Sequence, residues 1–91
     1  MKITFDPAKN ERNIQERGIS FELATNFDFE TAIYIKDIRR DYGETRIRSL
    51  GLIGDRLHAL VFTMSGATLR VISLRKANRT EVKRYEEATE S

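Results

Sequence analysis

Apolar and polar residues along this chain follow two different periods, and the change comes near residue 31. Before that point, "KITF" (2–5) is a short strand candidate. Asp6-Pro7 then makes a helix start, with Asp6 as the cap and Pro7 at the first helical position, where its missing N–H is no loss. The helix is predicted to run to about Arg17 and to stop at Gly18. Its only apolar residues are Ala8 and Ile14, so it belongs at the surface. Ser20 is placed to cap a second short helix, with Phe21, Ala24 and either Leu23 or Phe27 on its buried side.

From residue 31 the runs are β-branched and aromatic. "TAIYIKD" (31–37), "TRIRSLGLI" (45–53), "LHALVFTM" (57–64) and "ATLRVISL" (67–74) read as strands. "IRRDYGE" (38–44) reads as a polar turn around Gly43. The breaks "GDR" (54–56) and "SG" (65–66) are short enough for tight hairpins, so the last three strands form an antiparallel meander. Asn78 followed by Glu81 makes a capping-box start for a final helix, and Val82, Tyr85 and Ala88 or Thr89 form its packing stripe. The order β-α-α-β-β-β-β-α predicts an α+β domain spanning residues 1–91. Its antiparallel β-sheet has about four strands, with two N-terminal helices and a C-terminal helix.

Composition narrows the function more than the fold. At 91 residues, 40% hydrophobic and 33% charged, the chain is an ordinary globular domain with room for one small core. It has no cysteine, which excludes disulfides, zinc-thiolate sites and thiol nucleophiles. No apolar run has the length of a signal h-region or a membrane span, and a cytoplasmic location is expected. The net charge of +2 conceals an uneven distribution. Residues 36–85 hold twelve Lys or Arg against five Asp or Glu, whereas residues 1–35 hold four against six. Such a basic stretch either attracts a polyanion or forms a solvated surface.

Alternation along the strands groups the arginines. Arg46 and Arg48 share a face with Leu50 and Leu52, leaving Ile47, Ser49, Gly51 and Ile53 on the other. In the last strand the same rule sets Arg70 with Ile72 and Leu74, and Arg75 with Val71 and Ser73, on opposite faces. Arginines at the ends of strands with apolar middles either pair with a nearby acid such as Glu44 or converge on phosphate, which their planar forks fit. Lys83 and Arg84 read as solvated helix surface.

Groups for proton transfer are few. His58 is the only histidine and reads as a strand-end surface residue. Glu44 is placed either to act as a base or to orient Arg46. Tyr34 and Tyr42 are able to donate protons or stack on bases, while Tyr85 belongs to the packing stripe. The chain lacks a metal-ligand spacing, a Gly-rich phosphate loop and a nucleophile elbow, so phosphodiester chemistry here would be metal-independent and cofactor-free. RNA permits this, because its own 2′-hydroxyl is the nucleophile and arginines stabilise the developing charge.

"FDPAKNERNIQERGISFELA" (5–24), "GETRIRSLG" (43–51), "LVFT" (60–63) and "LRVISLRKANRTEVKRYEE" (69–87) together resemble the BrnT toxin family in order and spacing. The resemblance implies a RelE-like fold and a type II toxin–antitoxin ribonuclease that cleaves RNA and inhibits translation. It also implies a cognate ribbon-helix-helix antitoxin (BrnA-like) and contact with operator DNA only through the antitoxin complex. By resemblance, the family's shared polar positions fall on Lys9, Asn13, Glu44, Arg46, Arg70, Arg75 and Lys76, with Arg79 and Tyr85 matching less rigidly. Two positions depart from the pattern: Arg17 stands where the family usually has histidine, and Phe5 where it often has tryptophan. The implied site has Arg46, Arg70 and Arg75 around the scissile phosphate and Lys9, Asn13, Lys76 and Arg79 on the neighbouring RNA backbone. Glu44, or else His58, takes the 2′-hydroxyl proton. The alternatives are a non-enzymatic nucleic-acid-binding or antitoxin-binding module, which the missing histidine favours, and a protein-interaction domain with a basic face.

Overall fold

Residues 1–38 and 41–90 are described by the structure, a computed structural model. Arg39 and Arg40, inside the predicted 38–44 turn, lie outside the described residues. Strand β1 (Lys2–Phe5) leads into helix α1 (Pro7–Arg17), where Asp6 accepts from the Ala8 N–H and Gly18 closes the C-terminus as predicted. Ser20 caps the next element by accepting from the Glu22 N–H. That element is a 3₁₀-helix (Phe21–Asn26), not the predicted α-helix. The reason lies in the spacing: Phe21, Ala24 and Phe27 recur every three residues, and three residues per turn line all of them up on the core. Leu23, off that line, is 39% exposed.

The remaining elements are β2 (Ile33–Asp37), β3 (Arg46–Ile53), β4 (Arg56–Ser65), β5 (Thr68–Lys76) and α2 (Arg79–Thr89). Two-residue turns join β3 to β4 and β4 to β5, each opening on a glycine at positive φ (Gly54, 64°; Gly66, 59°), a conformation that costs other residues a steric penalty. The capping box of α2 is complete, with Asn78 accepting from the Glu81 N–H and Glu81 accepting from the Asn78 N–H.

The sheet runs β1-β5-β4-β3-β2. Strands β2 to β5 form the expected antiparallel meander. The prediction of an antiparallel sheet of about four strands is corrected to a five-stranded mixed sheet, because β1 joins β5 in parallel, Lys2 opposite Thr68 through Phe5 opposite Val71. The chain leaves β1 through α1 and the 3₁₀-helix and enters the meander at its far edge. It returns beside β1 only with β5, and now in the same direction.

The two sheet faces are used differently. On the first, Leu60, Phe62, Leu69, Val71 and Leu74 pack beneath Ile19 and the 3₁₀-helix and form the main core. Gly51 belongs here: a Cβ on it would sit 2.4 Å from the Phe27 ring. On the second face Leu50, Leu57 and Ala59 meet Ala77, Val82 and Tyr85. The Tyr85 hydroxyl donates to the Thr31 carbonyl at 3.2 Å and ties the middle of α2 to the segment just before β2. Helix α2 therefore covers one end of the second face and leaves the other end open. No helix among the described residues is long and apolar enough to cross a membrane.

A candidate nucleic-acid interface

The open part of the second face is a grid of cross-strand rows. One row sets Ile33, Leu50, Ala59 and Arg75 side by side, and the next sets Ile35, Arg48, Val61 and Ser73. Farther along, Asp37 pairs with Arg46, and Thr63 pairs with Arg70, which is also opposite Thr4 of β1. Strands lie about 4.8 Å apart and rows about 7 Å apart, so arginine side chains on β3 and β5 are within reach of a common ligand.

Simple alternation had put Arg70 and Arg75 on opposite faces, and the register overturns this. Val61 pairs with Ser73 while Phe62 pairs with Val71, so Ile72 is a bulged, unpaired residue. The extra residue absorbs one step of alternation. Arg70 and Arg75 therefore project from the same face, opposite Thr63 and Ala59. Arg46 and Arg48 lie on that face too, as predicted.

A concave pocket opens between the sheet and α2. Its walls carry Arg48, Ser73, Arg75, Glu81 and Arg84, and Ile33, Ile35 and Val61 line its apolar parts. Arg75 and Glu81 form a two-pronged ion pair, Nη1 to Oε1 at 2.7 Å and Nη2 to Oε2 at 2.9 Å. Glu81 Oε1 also accepts from the Asn78 N–H at 2.9 Å. The Arg75 hydrogen bonds pull the Glu81 carboxyl below its usual value against the opposing effect of burial, and the Asn78 N–H and the charges of Arg75 and Arg48 add to the shift. By the same pairing the Arg75 guanidinium holds its proton more tightly, burial acting against it.

Arg46 sits at the other end of the face. Its Cζ lies 3.9 Å from the centre of the Tyr42 ring and its Nη2 lies 3.5 Å from Glu44 Oε1. The Tyr42 hydroxyl donates in turn to Asp37 Oδ2 at 3.4 Å. Arg46 Nε is buried without a hydrogen-bond partner among the described residues. Glu44 is exposed and stands beside Arg46 rather than in the pocket.

The other expected site residues separate from this group. His58 is not a surface residue: it is 5% exposed, bonded through Nδ1 to the Arg56 carbonyl at 2.9 Å. Its partner across the ladder is Gly51, whose open side faces Phe27, so His58 lies on the first face, across the sheet from the arginines. Lys76 pairs with His58 and shares that side. Asn13 is scaffold, because its amide donates to both the Ile19 and Leu74 carbonyls at 2.9 Å. Lys9 is exposed on α1, a helix tied through Asn10 and Asn13 to the Ile19–Phe21 segment of the first layer. Arg79 is exposed in the first turn of α2.

Arg84, read as solvated surface, lines the pocket, and Glu81, read only as a cap, is its one carboxylate among the described residues. The signal for both was present in helical spacing, since Glu81 and Arg84 are three residues apart and so neighbours on one face. Which face met the arginines was not. Residues 5–81, most of the chain, match the family described as ribonuclease toxin, BrnT, of type II toxin–antitoxin system. Among curated proteins nothing matches the chain.

Proposed function

The chain belongs to the BrnT family of ribonuclease toxins of type II toxin–antitoxin systems, and from that premise we propose that the basic pocket on the open sheet face binds and cleaves RNA. The observation that carries this reading is the gathering of Arg48, Arg75 and Arg84 around one concavity, with Arg46 and Arg70 farther along the same face. Guanidinium forks match phosphate oxygens in shape and charge, and a partly apolar pocket strengthens the attraction by excluding water. Arg48, Arg75 and Arg84 hold the scissile phosphate and the charge that develops on it, while Arg46 and Arg70 track the flanking backbone. Ile33 and Ile35 give a base or ribose an apolar surface to rest on.

The chemistry is metal-independent transesterification by the RNA 2′-hydroxyl, and its cellular effect is inhibition of translation. Among the described residues no three His, Cys, Asp or Glu side chains are grouped as a metal ion would require. A ribbon-helix-helix antitoxin of the BrnA kind neutralises the protein by laying an acidic segment on the same face, and operator DNA is reached only through that complex. The test is incubation of purified protein with RNA, with and without chelator. Cleavage that survives chelator and leaves cyclic phosphate ends supports the reading, and cleavage abolished by chelator refutes the metal-independent route. RNA that is bound but left whole points instead to a non-enzymatic binding module.

A further inference from the structure

We propose that Glu81 is the catalytic base of this pocket, and that the Arg75–Glu81 pair is a resting lock which the substrate phosphate opens. The inference rests on the RNA-cleaving reading above and assigns its unfilled role. Two other bases were conceivable from the sequence. Glu44 stands outside the pocket with a 41% exposed side chain, and His58 lies across the sheet. Glu81 lines the pocket with a side chain only 15% exposed.

The geometry makes binding and base activation one event. Both prongs of the Arg75 fork are occupied by the two Glu81 oxygens at 2.7 and 2.9 Å. A phosphodiester offers the same two-oxygen edge, so substrate and Glu81 compete for the same donors. When the phosphate takes the fork, Glu81 loses the bonds that make it a poor base. It does not swing away, because the Asn78 N–H still holds Oε1 at the start of α2. Oε2, whose described hydrogen bond is to Arg75, is then open beside the bound phosphate.

In the reaction Oε2 takes the proton of the 2′-hydroxyl as the 2′-oxygen bonds to phosphorus. The bond from phosphorus to the 5′-oxygen breaks, and the leaving oxygen takes a proton from water on the open side of the groove. The products are a 2′,3′-cyclic phosphate and a 5′-hydroxyl, and Glu81 returns its proton to solvent. Arg48, whose charge already acts on Glu81, stabilises the phosphorane.

The test combines substitution with pH profiles, on RNA with purified protein. Glu81→Gln keeps a residue that completes a capping box, so the helix start persists while the base is removed. Its kcat is expected to fall by about 10²–10⁴, the usual contribution of a positioned base, while KM stays level or drops because Arg75 is no longer neutralised. Glu11→Gln, an exposed change on α1 in the other layer, is expected to stay within about threefold of the parent. In the unsubstituted protein, the acid limb of kcat, which reports the complex, should lie at higher pH than that of kcat/KM, which reports the free protein. Glu81→Gln at near-parental kcat, or acid limbs that coincide, would overturn the assignment while leaving the ribonuclease reading intact. Parent protein that binds RNA and leaves it whole overturns both.

Discussion

Arg70 and Arg75 point to the same side of β5 although five positions separate them, because Ile72 is an extra residue in the ladder. The bulge has a testable consequence. Without Ile72, Val71 and Ser73 become neighbours that already face opposite sides, so ordinary alternation keeps Leu69, Val71 and Leu74 in the core and both arginines outside. Deleting Ile72 is therefore expected to leave a folded protein that still binds RNA, with a stability loss in the common range of about 0.5–3 kcal/mol. Deleting Leu74 also removes the extra residue but sets Ser73 in the place of a fully buried leucine opposite Leu60, and is expected to unfold the chain. Denaturant titration of the two deletions checks this, and equal loss in both would remove the bulge from the account.

Phosphate contacts are countable through salt. Each arginine that neutralises a phosphate contributes about 0.7 to the slope of log affinity against log salt on single strands. Arg48→Ala and Arg84→Ala should each flatten that slope by about this amount and weaken binding. Lys9→Ala, on a helix tied to the other layer, should change neither. Binding isotherms for RNA at several salt concentrations make the comparison.

The sequence was readable wherever the chemistry was local. Asp6 with Gly18, and Asn78 with Glu81, marked helix ends because each acts on backbone groups within a few residues. The second face of β3 followed from alternation, since no bulge interrupts it. What failed was long-range or depended on one uncounted residue. Nothing in a period-2 pattern says that Ile72 goes unpaired, or that β1 meets β5 sixty-six positions away in register and parallel. His58 looked like a strand-end surface residue because it follows a turn, but the ladder sets it opposite Gly51 beneath Phe27. Glu81 was legible as a cap, and its second partner, Arg75, appears only when the strand turns into the helix.

Asn13 shows how a polar residue at a family position can be structural. Its amide donates to the Ile19 carbonyl and to that of Leu74, 61 positions from Asn13, on the stretch of β5 that β1 leaves uncovered. Asn13→Ala leaves two part-buried carbonyls without that donor and should cost about 1–3 kcal/mol. RNA affinity of the folded fraction should be unchanged. A variant that kept its stability but lost RNA binding would return Asn13 to the interface.

Gly51 is constrained by space rather than by backbone angle. The Phe27 ring occupies the place of its missing side chain, with three ring carbons 2.4–2.9 Å from an added Cβ. The ring is itself 5% exposed and packed in the main core. Gly51→Ala is expected to destabilise by about 1–3 kcal/mol, as overpacking does. The double variant Gly51→Ala with Phe27→Leu should recover part of that loss, and thermal unfolding of the single and double variants measures it.

The Arg75–Glu81 pair also sets a pH dependence of stability whose direction is fixed. Glu81 has its carboxyl held below the ordinary glutamate value of 4.5, chiefly by the Arg75 hydrogen bonds. A carboxyl depressed in the folded state favours folding above its unfolded value, and that contribution disappears as pH falls through the folded value. Glu81→Gln cannot titrate and lacks the contribution at every pH. The parent should therefore exceed Glu81→Gln in stability at pH 7, and the gap should close as the solution is acidified below 4.5. Urea unfolding at neutral pH and at successive steps below the ordinary glutamate value measures the gap directly. A gap that stays constant across that window would mean the pair does not perturb Glu81, and the lock assigned to Arg75 would lose its energetic basis.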